Sequence, residues 1–184
     1  MSLLRANLLQ GRRIALAGDP AAALSDELVG LGAEIVRLPR WGLGEDEEQV
    51  GQWAGGQAPL SALVYRAGAS FGQGGEEALL ATLDEAWATV REVAVGALID
   101  ADAPGKVVLI APSAGAGPLA GAAAAGLENL ARSLSVEWAR HQVTAVMVAP
   151  GQSTEEELSM LVAFLVSEAG GYLSGCRVEL GSAG

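Results

Sequence analysis

Cysteine is nearly absent from this 184-residue chain. Cys176 stands alone, so no internal disulfide can form. By the habits of its residue type it is expected as a small buried hydrophobe. Histidine is equally scarce, with His141 the single representative. Basic residues are few: 11 Lys and Arg against 22 Asp and Glu leave a net charge of −11. That balance excludes nucleic acid as an expected partner, because such affinity rests on Lys and Arg neutralising phosphates. Anionic membrane surfaces are disfavoured for the same reason. Long hydrophobic runs are missing too, since Gly, Pro and charges interrupt every candidate before the ~20 residues that span a bilayer. Residues 1–13 lack the basic start and sustained apolar core of a signal peptide, so the cytoplasm is the expected location.

What is present points to a globular protein. Half the residues are apolar (51%) and 18% are charged. The length suits a single domain over residues 1–184 with a substantial core. Apolar runs rich in Val, Ile, Leu and Ala alternate with helical stretches, the pattern of a parallel sheet covered on both faces. Strands are expected at Arg13–Gly18, Ala33–Leu38, Ala62–Ala67, Lys106–Ala111, Val143–Ala149 and Arg177–Leu180. Helices are expected at Ala22–Leu31, Glu45–Ala54, Glu76–Ala101, Ala120–Arg140 and Glu155–Ser167.

The acidic run Glu45–Glu48 reads as a helix start, where carboxylates meet the positive dipole end. No His or Cys lies near it in sequence to complete a metal site. Thr154 and Glu157 have the spacing of a capping box. Gly72–Gly75 reads as a turn before an acidic helix start. Two helices are apolar on more than one side. In the first, Leu83, Ala86, Trp87, Val90, Ala94, Ala97 and Leu98 form a stripe that Ala88, Val93 and Val95 widen. In the second, Leu127, Leu130, Ala131, Leu134 and Trp138 form a stripe extended by Ala122–Ala125 and Val136. A helix apolar on two sides is buried on two sides, and in so small a domain the second cover is expected to be another subunit. Val90, Val93, Ala122, Ala125 and Val136 are the expected interface positions.

Over nearly its whole length the chain resembles the short-chain dehydrogenases/reductases, a nicotinamide-dependent Rossmann family. "GRRIALAG" resembles the family's first strand and "LGAEIVRL" the second. "LSALVYRAG" is similar to the strand ending in Asn-Asn-Ala-Gly, and "GKVVLIAPSAG" to the strand that bears the catalytic serine. "GLENLARSLSVEWARHQVTAVMVAPG" resembles the helix and strand that follow Tyr-x-x-x-Lys. "LVAFLVSEAGGYLSGCRVELGS" is similar to the closing helix and strand, with Tyr172 expected to pack where that strand begins. The resemblance implies a three-layer Rossmann-like α/β fold, with a mostly parallel sheet of about six strands flanked by helices.

The family's functional residues do not carry across. Its nucleotide loop, Thr-Gly-x-x-x-Gly-x-Gly, brings backbone close to a pyrophosphate at a helix N-terminus. Here "AGDPAAALSDEL" keeps Gly18, lacks both later glycines and puts Asp19 where a phosphate would lie. No cofactor is therefore expected, NAD and NADP included. Arg37 and Arg40, which follow the second strand, are expected as solvated charges. Asn-Asn-Ala-Gly has become Tyr65-Arg66-Ala67-Gly68. With the frame set on Leu127, the tyrosine and lysine of Tyr-x-x-x-Lys fall on Ala120 and Ala124, and the serine on Pro112 beside Ser113. Alanine has no ionisable group with which to move a proton.

Between Leu38 and Leu60 there is room for one helix, not for helix, strand and helix. After Pro150-Gly151 the substrate-covering segment is missing, and with it the water exclusion that a lid provides. A triad of Ser113, His141 and Asp100 or Asp102 lacks the Gly-x-Ser-x-Gly elbow. His141 instead suits a helix C-terminus. The expectation is a pseudoenzyme: a non-catalytic subunit that assembles with, and stabilises or regulates, a complete enzyme of the family. The alternatives are a homo-oligomeric binding or scaffold protein, and a reduced-size NAD(P)-dependent oxidoreductase using Ser113 or Tyr65.

Overall fold

Alternation within the apolar runs decides the layering. In β3 (Ala62–Arg66), Leu63 and Tyr65 enter one core, while Ala62 and Val64 enter the other. In β4 (Gly105–Ile110), Val107 and Leu109 part from Val108 and Ile110 in the same way. In β5 (Val143–Ala149), Ala145 and Met147 part from Val146 and Val148. Successive strand side chains point to opposite faces, so a strand apolar at both parities must be covered on both.

The computed structural model describes residues 4–40, 47–68, 71, 75–99 and 101–181. With β1 (Arg13–Gly18), β2 (Glu34–Arg37) and β6 (Cys176–Glu179), these strands form a six-stranded sheet in the order β2-β1-β3-β4-β5-β6. Every neighbouring pair is parallel. Helices α1 (Ala22–Gly30) and α5 (Glu155–Val166) cover one face. Helices α2 (Glu47–Gln57), α3 (Glu76–Ala97) and α4 (Ala120–Glu137) cover the other. This is the expected three-layer Rossmann-like architecture. Region 39–59 holds a helix and, among the described residues, no strand. No helix of the described residues is long and apolar enough to cross a membrane.

The capping box forms as the spacing predicts. The Glu157 amide donates to Thr154 Oγ1 at 3.2 Å, and the Thr154 amide donates to Glu157 Oε2 at 2.8 Å. Glu47 and Glu48 open α2 as expected, whereas residues 45 and 46 of that acidic run lie outside the described residues. Of the turn expected at Gly72–Gly75, only Gly75 is described; it precedes α3.

Helix α3 departs from expectation in which of its sides meets solvent. Val90 and Val93 are completely buried within the chain itself, alongside Val50 and Ala54 of α2. The two helices touch through small residues: a Cβ on Gly96 would lie 2.9 Å from the Gly51 carbonyl oxygen and 3.0 Å from Ala54 Cβ. Helix α2 therefore supplies the second cover that the width of the stripe calls for, and no other subunit is needed at Val90 or Val93. Trp87, assigned to the core stripe, is instead exposed, with the Arg91 guanidinium 5.9 Å from its ring centroid. On α4, Leu127, Ala131, Leu134 and Trp138 are buried as expected. Ala122 and Ala125 face solvent, and Val136 is 78% exposed. Tyr172, expected to pack, is 96% exposed, because it ends a short 3-10 turn, Glu168–Tyr172, outside the core. Cys176 is half-buried rather than buried.

Candidate functional site

In an open parallel sheet the ligand crevice lies at the carboxyl ends of the strands, where the strand order reverses. Here the reversal falls between β1 and β3. Their last residues are Gly18 and Arg66, and the backbones meet closely there. Gly18 has φ +76°, and a Cβ on it would sit 2.1 Å from the Arg66 carbonyl oxygen. The Asp19 amide donates to that same oxygen at 3.0 Å. Only glycine fits position 18, in both conformation and space.

A row of paired charges occupies this edge. The Arg66 guanidinium donates from Nη1 to Glu155 Oε2 at 2.8 Å and from Nη2 to Glu155 Oε1 at 2.5 Å. Glu155 is the first residue of α5, so the pair bridges the end of β3 and the start of that helix. The hydrogen bonds to Arg66 hold the Glu155 carboxyl below its ordinary range. Glu155, with a smaller contribution from Asp19, raises Arg66. Asp19 is itself paired with Arg40 at 3.2 Å. Asp19 and Arg40 thus form a surface ion pair, and Arg40, like Arg37, is exposed to solvent as expected.

The start of α4 is apolar and closed. Ala120 is 2% exposed and forms a small cluster with Ala123 and the fully buried Phe71. Ala124 is 8% exposed and belongs to the main core beside Leu127. Pro112 is buried, and Ser113 is exposed with its side chain making no cap bond to the 3-10 turn Ala114–Ala116. None of these positions carries a group that titrates near neutral pH.

Tyr65 lies under α3 rather than in the crevice. Burial first, and then the nearby Glu85 carboxylate, drive its phenol far above the ordinary value. Its oxygen makes no hydrogen bond of standard geometry, and neither does Thr82 Oγ1 on the same helix. A buried, permanently protonated phenol cannot serve as a base. The triad does not assemble either. Ser113 follows the carboxyl end of β4, while His141 precedes the amino end of the adjacent β5. A strand of six residues separates those edges by about 20 Å. Asp102 precedes β4, at the edge opposite Ser113, and Asp100 lies outside the described residues. His141 ends a 3-10 turn after α4 and accepts from Arg140 Nε at 2.9 Å. Among the described residues, no group of three or more His, Cys, Asp or Glu is placed to hold a metal ion.

Solved short-chain dehydrogenases/reductases share this fold. The citronellol catabolism dehydrogenase AtuB of Pseudomonas aeruginosa PAO1 superposes with a TM-score of 0.79 at 21% identity, over 99% of this chain and 98% of that one. A short-chain dehydrogenase from Mycobacterium smegmatis gives 0.76 at 20% identity, over 100% and 97%. An oxidoreductase of the short-chain dehydrogenase/reductase family from Burkholderia thailandensis gives 0.76 at 19%, over 91% and 90%. At these identities the likeness is one of fold. No protein-family model matches the chain, and no curated protein matches it.

Proposed function

We propose that the chain is a non-catalytic member of the short-chain dehydrogenase/reductase fold, which assembles with a catalytically complete enzyme of that fold and stabilises or regulates it. The observation that carries this reading is the occupied carboxyl edge. A dinucleotide would have to displace Glu155 from a two-bond pair with Arg66 and set its pyrophosphate against Asp19. The positions aligned with the family's proton relay, Ala120 and Ala124, are buried among apolar side chains and can move no proton. The alternative of a reduced-size oxidoreductase needs Tyr65 or Ser113 to act. Tyr65 is sealed beneath α3, and Ser113 has no base beside it among the residues given above.

Assembly would use the solvent side of α3 and α4. Leu80, Trp87 and Val95 repeat at helical spacing on α3, and Ala122, Ala125 and Val136 do so on α4. The helices adjoin where a Cβ on Gly126 would lie 2.6 Å from Leu83 Cδ2. Face-to-face pairing of two such helix pairs buries about 1,200–2,000 Å², the size of a specific interface. Analytical ultracentrifugation at micromolar concentration, alone and with a full-length enzyme encoded beside it, tests the reading. A complex with that enzyme is expected. A self-associating chain that ignores the enzyme would favour the homo-oligomeric scaffold, and a persistent monomer would overturn both.

A further inference from the structure

At the edge of the sheet opposite the crevice, the amino ends of β4 and β5 border a cleft of about 730 Å³. Its size falls within the range of small-molecule sites. Ala103, Pro104, Ala139 and Val143 give it apolar walls, and Lys106 and Arg12 give it a cationic pole. Lys106 is the chain's only lysine. It is the second residue of β4, and only 5% of it is exposed. Its stem runs beneath the 3-10 turn Glu168–Tyr172, where Gly171 has no side chain to cover it: a Cβ there would lie 3.4 Å from Nζ.

Lys106 takes its place in the β4 ladder, but among the described residues its side chain makes no hydrogen bond or ion pair. The nearby carboxylate, Glu168, is engaged with Arg12 at 3.3 Å through a side chain that is 93% exposed. In a chain with 22 acidic residues, the sole lysine thus has no acid at ion-pair distance among the described residues. Burial, followed by the charge of Arg12, lowers its pKa, with Glu168 opposing weakly. An ammonium whose stem is buried and whose head opens on the cleft beside a second cation rewards an anion that reaches both.

We propose that this cleft binds a small organic oxyanion, a carboxylate or phosphate monoester carried on an apolar body, with its head group on Lys106 Nζ and the Arg12 guanidinium. Glu168, which holds Arg12 loosely, is the group the ligand displaces. The cleft lies away from the solvent side of α3 and from the carboxyl edge, and it meets the proposed assembly face only at Ser135, which adjoins Val136 on α4.

Calorimetric titration of the intact chain with benzoate, phenyl phosphate and benzyl alcohol tests the proposal. At least one anion is expected to bind about tenfold or more tightly than the neutral alcohol, the minimum for a charge-assisted hydrogen bond. Which anion binds better distinguishes a carboxylate ligand from a phosphate monoester. Lys106→Met is expected to remove the preference for the anion while leaving the weak affinity for the alcohol. Glu168→Gln, at an exposed position that does not threaten folding, is expected to tighten anion binding several-fold by freeing Arg12. Equal affinity for anion and alcohol, anion affinity unchanged in Lys106→Met, or anion affinity unchanged in Glu168→Gln would overturn the proposal. So would failure of both anions to bind at millimolar concentration.

Discussion

Arg66 and Glu155 lock together across the carboxyl edge of the sheet through two hydrogen bonds of 2.8 and 2.5 Å, joining the end of β3 to the first turn of α5. The pair lowers the folded-state pKa of Glu155 relative to the unfolded chain, where a glutamate titrates near ~4.3. Its stabilisation is therefore complete above that value and is lost as pH falls through the lower folded value. Glu155→Gln removes this dependence. Urea midpoints measured from neutral pH downward should show the wild-type advantage over Glu155→Gln shrinking below about pH 5. Glu34 and Glu157, also lowered by their partners, cancel in the comparison. An advantage constant across pH would show that the pair is not formed.

Tyr65→Phe should change the stability of the chain by less than about 1 kcal/mol. The phenol is buried with the Glu85 carboxylate beside it at less than standard hydrogen-bond geometry. Deleting the hydroxyl therefore loses a weak bond and removes a poorly satisfied buried polar atom, two effects that offset each other. Denaturant titration reads this directly. A loss exceeding about 1 kcal/mol would mean that the hydroxyl has a partner.

Two valines separate folding from assembly. Val93 is fully buried against α2, so Val93→Glu should cost more than about 4 kcal/mol and leave little native protein. Val136 is exposed, so Val136→Glu should change the stability of the chain by no more than about 0.5 kcal/mol while dissociating the proposed assembly. Thermal denaturation and sedimentation of both variants decide the matter. An assembly that survives Val136→Glu would place the interface elsewhere.

Thr154→Ala should lower stability by about 1 kcal/mol, because the α5 capping box loses both bonds to the hydroxyl. Chemical denaturation gives the number.

The layering was legible in sequence because it depends on local periodicity. β1 and β5 have the boundaries that their apolar runs predict, and the remaining strands differ by a residue at one or both ends. The capping box was equally legible, since Thr154 and Glu157 are three residues apart. Which side of α3 faces water was not. Val93 and Trp87 exchange their expected places because α2 docks through Gly51 and Gly96, a contact between segments 45 residues distant that no helical periodicity encodes. Neither pairing of Arg66, with Glu155 89 residues away, nor that of Arg40 with Asp19 has a sequence signature. Lys106 did leave a signal, as the only lysine of an acidic chain set inside an apolar strand, but its lack of a partner emerges only in three dimensions.

The most direct measurement is calorimetric titration of the purified chain with oxidised and reduced NAD and NADP. If the Arg66–Glu155 pair and Asp19 occupy the crevice of a non-catalytic subunit, no saturable heat should appear with any of the four nucleotides up to millimolar concentration. Saturable binding of any one of them with a micromolar dissociation constant would contradict the assignment and return the chain to the enzymes.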